Sequence, residues 1–359
     1  MYAIRLHAFG PAENLQYETL PDPAPGPGQV RIAVAAAGVH LVDTMLRKGQ
    51  TGPFPLPELP TIPGREVAGT VDRIGADVDP SHLGARVVAH LGAVPGGYAA
   101  LAVTEVARLH EIPANLDSAE AVAMIGTGRT TSGILQFTEL GPASVAMVTA
   151  AAGGIGTLLV QYAKNAGAMV IGLAGGPAKV DQVRRNGADL AVDYLRPDWP
   201  EQVRERIGDR GASVLFDSVG GEIARAALGL LGKGGQHLIY GWSGQTSDEQ
   251  VRQSLSVDEL AARGVTSHVV IGPPMLARAG GDLRVLEKRA MAEAAAGRLR
   301  PAVHRFPLAE AAAAHHALET RATTGKVVLI PQPNAPRVGL PSWPTHGTGN
   351  RPERGRAVD

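Results

Sequence analysis

The sequence predicts an α/β chain of two domains, a compact barrel-like β domain and a doubly wound parallel sheet. Three observations predict it. At 359 residues the chain exceeds what one ordinary core accommodates. Its first third consists of short β-branched runs broken by Gly and Pro. After Gly141, near-continuous apolar strands alternate with helices, the pattern of a buried parallel sheet.

In chain order, Met1–Gly10 alternates like a strand around Arg5. Val30–Ala36, Val67–Ile74 and Arg86–His90 are further strands, separated by loops such as Pro21–Gly28. At Ser118 the texture changes. Ser118 with Asp117 is expected to cap a helix over Ala119–Leu140, which Gly126, Gly128 and Gly133 loosen. Strands follow at Ser144–Thr149, Met169–Leu173, Leu190–Tyr194, Val214–Asp217 and His237–Tyr240, with helices at Ile155–Ala166 and Ala178–Asn186. Gly297–Ile330 departs from that alternation, with a helix Leu308–Glu319 and a strand Lys326–Ile330, and reads as the chain returning to finish the first domain. Gln332–Asp359, rich in Pro and Arg, is expected to be a disordered tail.

Composition removes several function classes. The 34 basic and 34 acidic residues cancel, so no net field draws nucleic acid or an anionic membrane. Cysteine is absent, which excludes disulfides, iron–sulfur clusters, thiolate zinc sites and a cysteine nucleophile. A cytoplasmic setting is expected, since the first ten residues lack a signal-peptide core. No charge occurs from Leu140 to Ala163, a length that would span a bilayer. The glycines in its middle favour a strand, a tight turn and a buried helix.

That turn carries the chemistry. Ala150–Gly156 lies between a strand and a helix and matches G-x-G-x-x-G, with Ala151 in place of the first glycine. Small residues such as Gly153 and Gly154 let the backbone approach a pyrophosphate. The helix N-terminus offers N–H groups and a positive dipole end. NAD recognition usually adds an acid about 20 residues onward, for the ribose 2′-hydroxyl. That place holds Leu173-Ala174-Gly175-Gly176, and no acid occurs from Leu140 to Val180. Lys179 follows, and Tyr194 ends the next strand. A cation and a phenol around an uncharged pocket suit a 2′-phosphate, so NADPH is the expected cofactor.

The motifs together resemble a known family, the zinc-independent quinone oxidoreductase branch of the medium-chain dehydrogenase/reductases. They are Ala37–Thr44, Pro63–Gly69, Gly96–Ala99, Ala150–Gly156, Gly172–Lys179, Phe216–Gly220 and Ala322–Leu329, in that order. The resemblance covers Met1–Pro331. It implies a GroES-like catalytic domain over 1–120 and 268–331, and a Rossmann domain over 121–267. The nicotinamide then lies in the cleft between them. By motif position, Val42, Asp43, Thr44, Thr130 and Gly133 line the nicotinamide side, and Gly154 and Ile155 hold the pyrophosphate. Gly175, Gly176, Lys179 and Tyr194 surround the adenosine phosphate. Ser218, Tyr240, Gly241, Trp242 and Ser243 close over the cofactor, and Arg321 reaches it from the returning segment. The family also implies a homodimer that pairs edge strands, with Val265–Ile271 the candidate edge.

The same resemblance speaks against a metal. The zinc-dependent branch has Cys where His40 stands and Gly-His-Glu where Gly64-Arg65-Glu66 stands. A permanently charged guanidinium is no ligand, and His315-His316 reads as a surface pair. His40, where the family often has Asn, is either a donor to the substrate or a buried structural histidine. Met45 and Thr51 stand where the family often has tyrosines, which makes the pocket more aliphatic than in the branch that reduces simple quinones. Asp43 is expected to position the cofactor edge. The proton is expected from His40, Thr130 or solvent. Trp242 reads equally as a pocket wall and as a packed aromatic. The expected reaction is hydride transfer to a quinone or other small electrophilic acceptor. The rivals are an enone or enoyl-thioester reductase on the same scaffold and a non-catalytic NADPH-binding protein. No Tyr-x-x-x-Lys occurs, so the short-chain dehydrogenase class is excluded.

Overall fold

The computed structural model describes residues 1–51, 55–93, 95–243 and 257–332. The stretch 333–359, read as a tail, lies outside the described residues. The first part of the chain folds as β1 (Tyr2–Leu6), β2 (Leu15–Thr19), β3 (Gln29–Gly38), α1 (Leu41–Arg47), β4 (Glu66–Ile74), β5 (Arg86–His90), β6 (Leu101–Glu105) and β7 (Leu109–Glu111). A linking helical region follows, α2 (Ser118–Ala123) and α3 (Arg129–Ile134). Then come β8 (Val145–Val148), α4 (Gly154–Asn165), β9 (Met169–Ala174), α5 (Pro177–Arg185), β10 (Leu190–Asp193), α6 (Trp199–Ile207), β11 (Ala212–Asp217), α7 (Gly221–Leu228) and β12 (Leu231–Ile239). The last elements are α8 (Val257–Ala262), β13 (Thr266–Val269), α9 (Pro273–Arg278), α10 (Arg284–Ala295), β14 (Val303–Pro307), α11 (Ala311–Glu319) and β15 (Lys326–Ile330).

Six strands form one parallel sheet in the order β10-β9-β8-β11-β12-β13. The order reverses between β8 and β11, where open α/β sheets bind ligands beyond their carboxyl ends. The strands are apolar on both faces because helices cover both. Val148, Phe216, Leu159 and Ile134 pack on one side, and Met147, Leu215, Val203 and Leu231 on the other. The charge-free stretch from Leu140 to Ala163 resolves into β8, a turn and most of α4. No described helix is long and apolar enough to cross a membrane.

The second sheet runs β14-β15-β3-β4-β5-β7, with β6 paired to β3. β15 joins β3 antiparallel through Val328 and Leu329. The C-terminal strand thus completes the N-terminal sheet around Val30, Ile32, Val67, Tyr98 and Leu329.

The linking helix departs from expectation. Ala119–Leu140 is not one helix: α2 and α3 flank a wide turn at Met124–Gly128. Asp117, not Ser118, is the cap. Its carboxylate accepts from Glu120 N at 2.8 Å, and Glu120 Oε2 accepts from Asp117 N at 2.9 Å. The widening has a local cause. A Cβ at Gly126 would lie 1.7 Å from Glu66 Oε1, so the helix runs against a buried carboxylate.

Candidate functional site

The glycine-rich turn is shaped by close approach. Ala150 has a left-handed backbone, φ 46°. Gly153 caps α4 in an extended conformation. A Cβ at Gly156 would sit 2.4 Å from Ala150 O, so α4 rests directly on the turn. Gly154 and Ile155 open α4 at its positive end. The turn also touches the returning segment, for Gly325 N donates to Ala152 O at 2.8 Å.

An open cleft runs from this turn past Gly175, Lys179, Tyr194, Ser243 and Arg321 to Leu41. At its outer end, Lys179 Nζ donates to Arg321 O at 2.6 Å, and Arg321 Nη2 to Ser243 O at 2.5 Å. Burial and the Arg321 charge push the Lys179 ammonium below its ordinary value. A Cβ at Gly175 would meet the Tyr194 ring at 3.1 Å. Asp193, the last residue of β10 and the neighbour of Tyr194, is engaged by its own turn: Oδ1 accepts from Gly176 N at 2.9 Å and Leu195 N at 3.0 Å.

The closing loops are organised by Asp217. Its Oδ1 accepts from Thr149 Oγ1, Val219 N and Gly220 N. Ser218 O accepts from Ser243 N at 2.8 Å and Ser243 Oγ at 2.9 Å. Gly241 packs closely on Ser218, Tyr240 is buried, and Trp242 stays exposed.

At the inner end, α1 orders two polar clusters. Asp43 turns inward. Its Oδ2 accepts from His40 N at 2.9 Å and Tyr98 Oη at 3.0 Å, with Arg65 at 3.5 Å from Oδ1. His315 Nε2 lies 3.1 Å from Tyr98 Oη, and His315 is fully buried. The surface-pair expectation holds for His316 alone; α11 turns His315 toward the barrel. Burial pushes His315 down to about 4.

The second cluster joins three chain segments. His40 Nε2 is 2.5 Å from Glu66 Oε1 and 2.6 Å from Lys326 Nζ, and Lys326 Nζ is 2.9 Å from Glu66 Oε2. Glu66 and Lys326 are sealed, while the His40 side chain is 30 % exposed. Burial would raise the Glu66 carboxyl, but His40 and Lys326 hold it well below its ordinary value. Burial pushes Lys326 down, against the attraction of Glu66. The remaining expected residues sit on the helices around this end. Val42 is half-buried, Thr44 Oγ1 donates to Leu41 O, and Thr130 Oγ1 donates to Gly126 O. Gly133 faces the Met275 side chain, within 2.7 Å of a Cβ placed there.

Residues 26–114 match the family described as alcohol dehydrogenase GroES-like domain, and residues 154–272 that described as zinc-binding dehydrogenase. The chain is 32 % identical over 333 residues to a 2-haloacrylate reductase of a Burkholderia species, covering 91 % of this chain and 98 % of that protein. It is 32 % identical over 335 residues to a quinone oxidoreductase of Pseudomonas aeruginosa, covering 91 % and 99 %. This chain belongs to the quinone oxidoreductase branch of the medium-chain dehydrogenase/reductases. The solved structure of Escherichia coli quinone oxidoreductase complexed with NADPH superposes with a TM-score of 0.78 at 27 % identity, over 92 % of this chain and all of that one.

One of the matched families is named for zinc, and the residues of this quinone oxidoreductase relative do not fit the metal. His40 and Glu66 already share the Lys326 ammonium, and Arg65 beside them is a second cation. Among the described residues no group of three His, Cys, Asp or Glu side chains stands together. Lys326, Glu66, Tyr98 and His315 are the polar residues that reading the sequence did not place in the site. Glu66 and Lys326 both lie in motifs that carry the family resemblance. Nothing in either motif says that strands 260 residues apart bring them into contact.

Proposed function

We propose that this protein is an NADPH-dependent reductase of small electron-poor acceptors, quinones or conjugated double bonds. The observation that carries the cofactor choice is the end of β9. No carboxylate lies in the chain between β9 and Lys179; Lys179, Tyr194 and Arg321 border the cleft there, and Glu319, which also lines the cleft, is paired with Arg47 and Lys48. The cradle fits the dinucleotide: Gly156 lets α4 rest directly on the turn, and α4 opens on Gly154 with its positive end beside the cleft that Gly153 and Gly175 line. When bound, NADPH supplies the hydride.

The chain's own residues do the rest. The N-terminus of α4, through Gly153, Gly154 and Ile155, binds the pyrophosphate. Lys179, Tyr194 and Arg321 bind the 2′-phosphate, with Gly175 and Gly176 giving it room. Ser218, Tyr240, Gly241, Trp242 and Ser243 shield the cofactor from water. Val42, Thr44, Thr130 and Gly133 border the nicotinamide, and Asp43 fixes α1 so that His40 keeps its place. Leu41, Met45 and Trp242 present apolar surface to a flat acceptor, and His40 donates to its oxygen.

A double-bond substrate is the second reading, favoured by the same His40, whose contact with Lys326 marks this end as a proton source. The Burkholderia relative, by its name, reduces a haloacrylate. Nicotinamide oxidation followed with NADPH and NADH, against 1,4-naphthoquinone, simple enones and acrylates, tests both readings. NADPH should be preferred. A preference for NADH would overturn the cofactor assignment, and cofactor binding with no turnover would favour a non-catalytic role. Two copies paired along the exposed edge β13 would form the homodimer, which sedimentation would detect.

A further inference from the structure

The relation of His40 to its two neighbours says more than that it donates. Its Nε2 has an ammonium at 2.6 Å and a carboxylate at 2.5 Å. A neutral ring nitrogen either accepts or donates, never both. With a lone pair, Nε2 accepts from Lys326. With a proton, it donates to Glu66. Both partners are in reach without movement of the ring, so either tautomer is satisfied in place.

Resting on the reductase reading above, we propose that Lys326 is the buried proton source of a relay that passes through the His40 ring to the bound acceptor. Each acceptor that gains a hydride must also gain one proton. In the resting state the Lys326 ammonium donates to Nε2, and Nδ1 carries the ring proton on the one member of the trio whose side chain is not sealed. In the transfer, the Nδ1–H bond breaks and the proton forms a new bond on the acceptor. A Lys326 N–H bond breaks, and Nε2–H forms. Lys326 ends as a neutral amine, and Nε2–H donates to Glu66 Oε1. After product leaves, a solvent proton enters at Nδ1 and the relay runs backward to its starting state.

The surroundings suit this division of labour. Burial of Lys326 makes its ammonium a stronger acid than one in water. Glu66 stays ionised and takes no proton itself. The other charged or titratable groups facing the trio are Asp43 on α1, Arg129 on α3 and His90 on β5, and burial leads the effects pushing His90 down to about 3, which leaves it neutral. Buried ion pairs repay their desolvation poorly, yet the fold makes room for this one. A Cβ at Gly38 or Gly126 would lie 2.4 or 1.7 Å from the Glu66 oxygens.

Two measurements on the full chain test the relay. Nitrogen-15 spectra of the histidine rings, without cofactor, should show His40 protonated at Nδ1, and at Nε2 in Lys326→Met, which has no donor to offer. Steady-state turnover of an enone then separates charge from proton release. Lys326→Arg keeps the cation but cannot give up its proton, so kcat should fall about 100-fold, within the range of general acid catalysis, with KM for NADPH unchanged. His40 should remain Nδ1-protonated in that variant. Wild-type protein protonated at Nε2, or Lys326→Arg turning over at the wild-type rate, overturns the proposal. Wild-type protein that reduces no acceptor overturns the reductase reading instead, and the ring spectra still decide whether the resting tautomer is as stated.

Discussion

The two ends of the cleft are built on opposite physics. At the outer end, Lys179 and Arg321 are half-buried or exposed and are held by backbone carbonyls at the tips of loops. At the inner end, Glu66, Lys326, Asp43, Tyr98 and His315 are buried and satisfy one another across three segments of the barrel sheet and its helices. The outer end can change its ligand preference with little effect on folding, because its groups return to water when released. The inner end cannot, because every group removed there leaves another buried without its partner.

The contrast is broken most severely at Gly126. Gly126→Ala drives a methyl into Glu66 and should cost more than about 3 kcal/mol, combining overpacking with a displaced buried charge; urea unfolding would measure it. A stability unchanged within about 0.5 kcal/mol would mean that the inner end is looser than its geometry.

Acid should act next, and first on the inner end. His315 and His90 are neutral in the fold, pushed down to about 4 and about 3. The unfolded chain protonates them near 6.5, so it binds more protons in between. Stability is therefore full above pH 6.5 and falls as pH drops toward 4 and then 3, by about 3 kcal/mol from His315. Unfolding midpoints across that range should show the slope, and His315→Gln should flatten its upper part. An unchanged slope in His315→Gln would place the acid sensitivity elsewhere.

The outer end should respond in affinity rather than stability. Lys179→Ala should weaken NADPH about tenfold, roughly 1.4 kcal/mol, and leave NADH and the unfolding midpoint unchanged. Equal loss for both coenzymes would show that Lys179 does not meet the 2′-phosphate. The smallest effect is expected at Arg321, whose φ is 58°. Arg321→Gly relieves left-handed strain, so stability should hold or rise by less than about 1 kcal/mol while NADPH binding weakens. A clear loss of stability would mean that the bond to Ser243 anchors the loop.

Much of this protein was legible in its sequence because the signals are local. Apolar strands broken by helices specify a parallel sheet, and Gly153 and Gly156 mark a turn where side chains cannot fit. The absence of an acid from Leu140 to Val180 is equally local, and the proposed preference for a 2′-phosphate starts from it. The missing cysteines and Arg65 removed a thiolate metal site from the outset. Each of these depends on residues within about one supersecondary unit of each other. Tertiary structure alone decided the rest. It broke the helix after Ser118 against a carboxylate from β4. It buried His315 where the composition of its helix suggested a surface pair. It set Lys326, from the strand that returns to close the first sheet, between His40 and Glu66. Contacts of that kind arise from strand order and burial, and a chain read one residue after another carries no record of which distant strands will lie side by side.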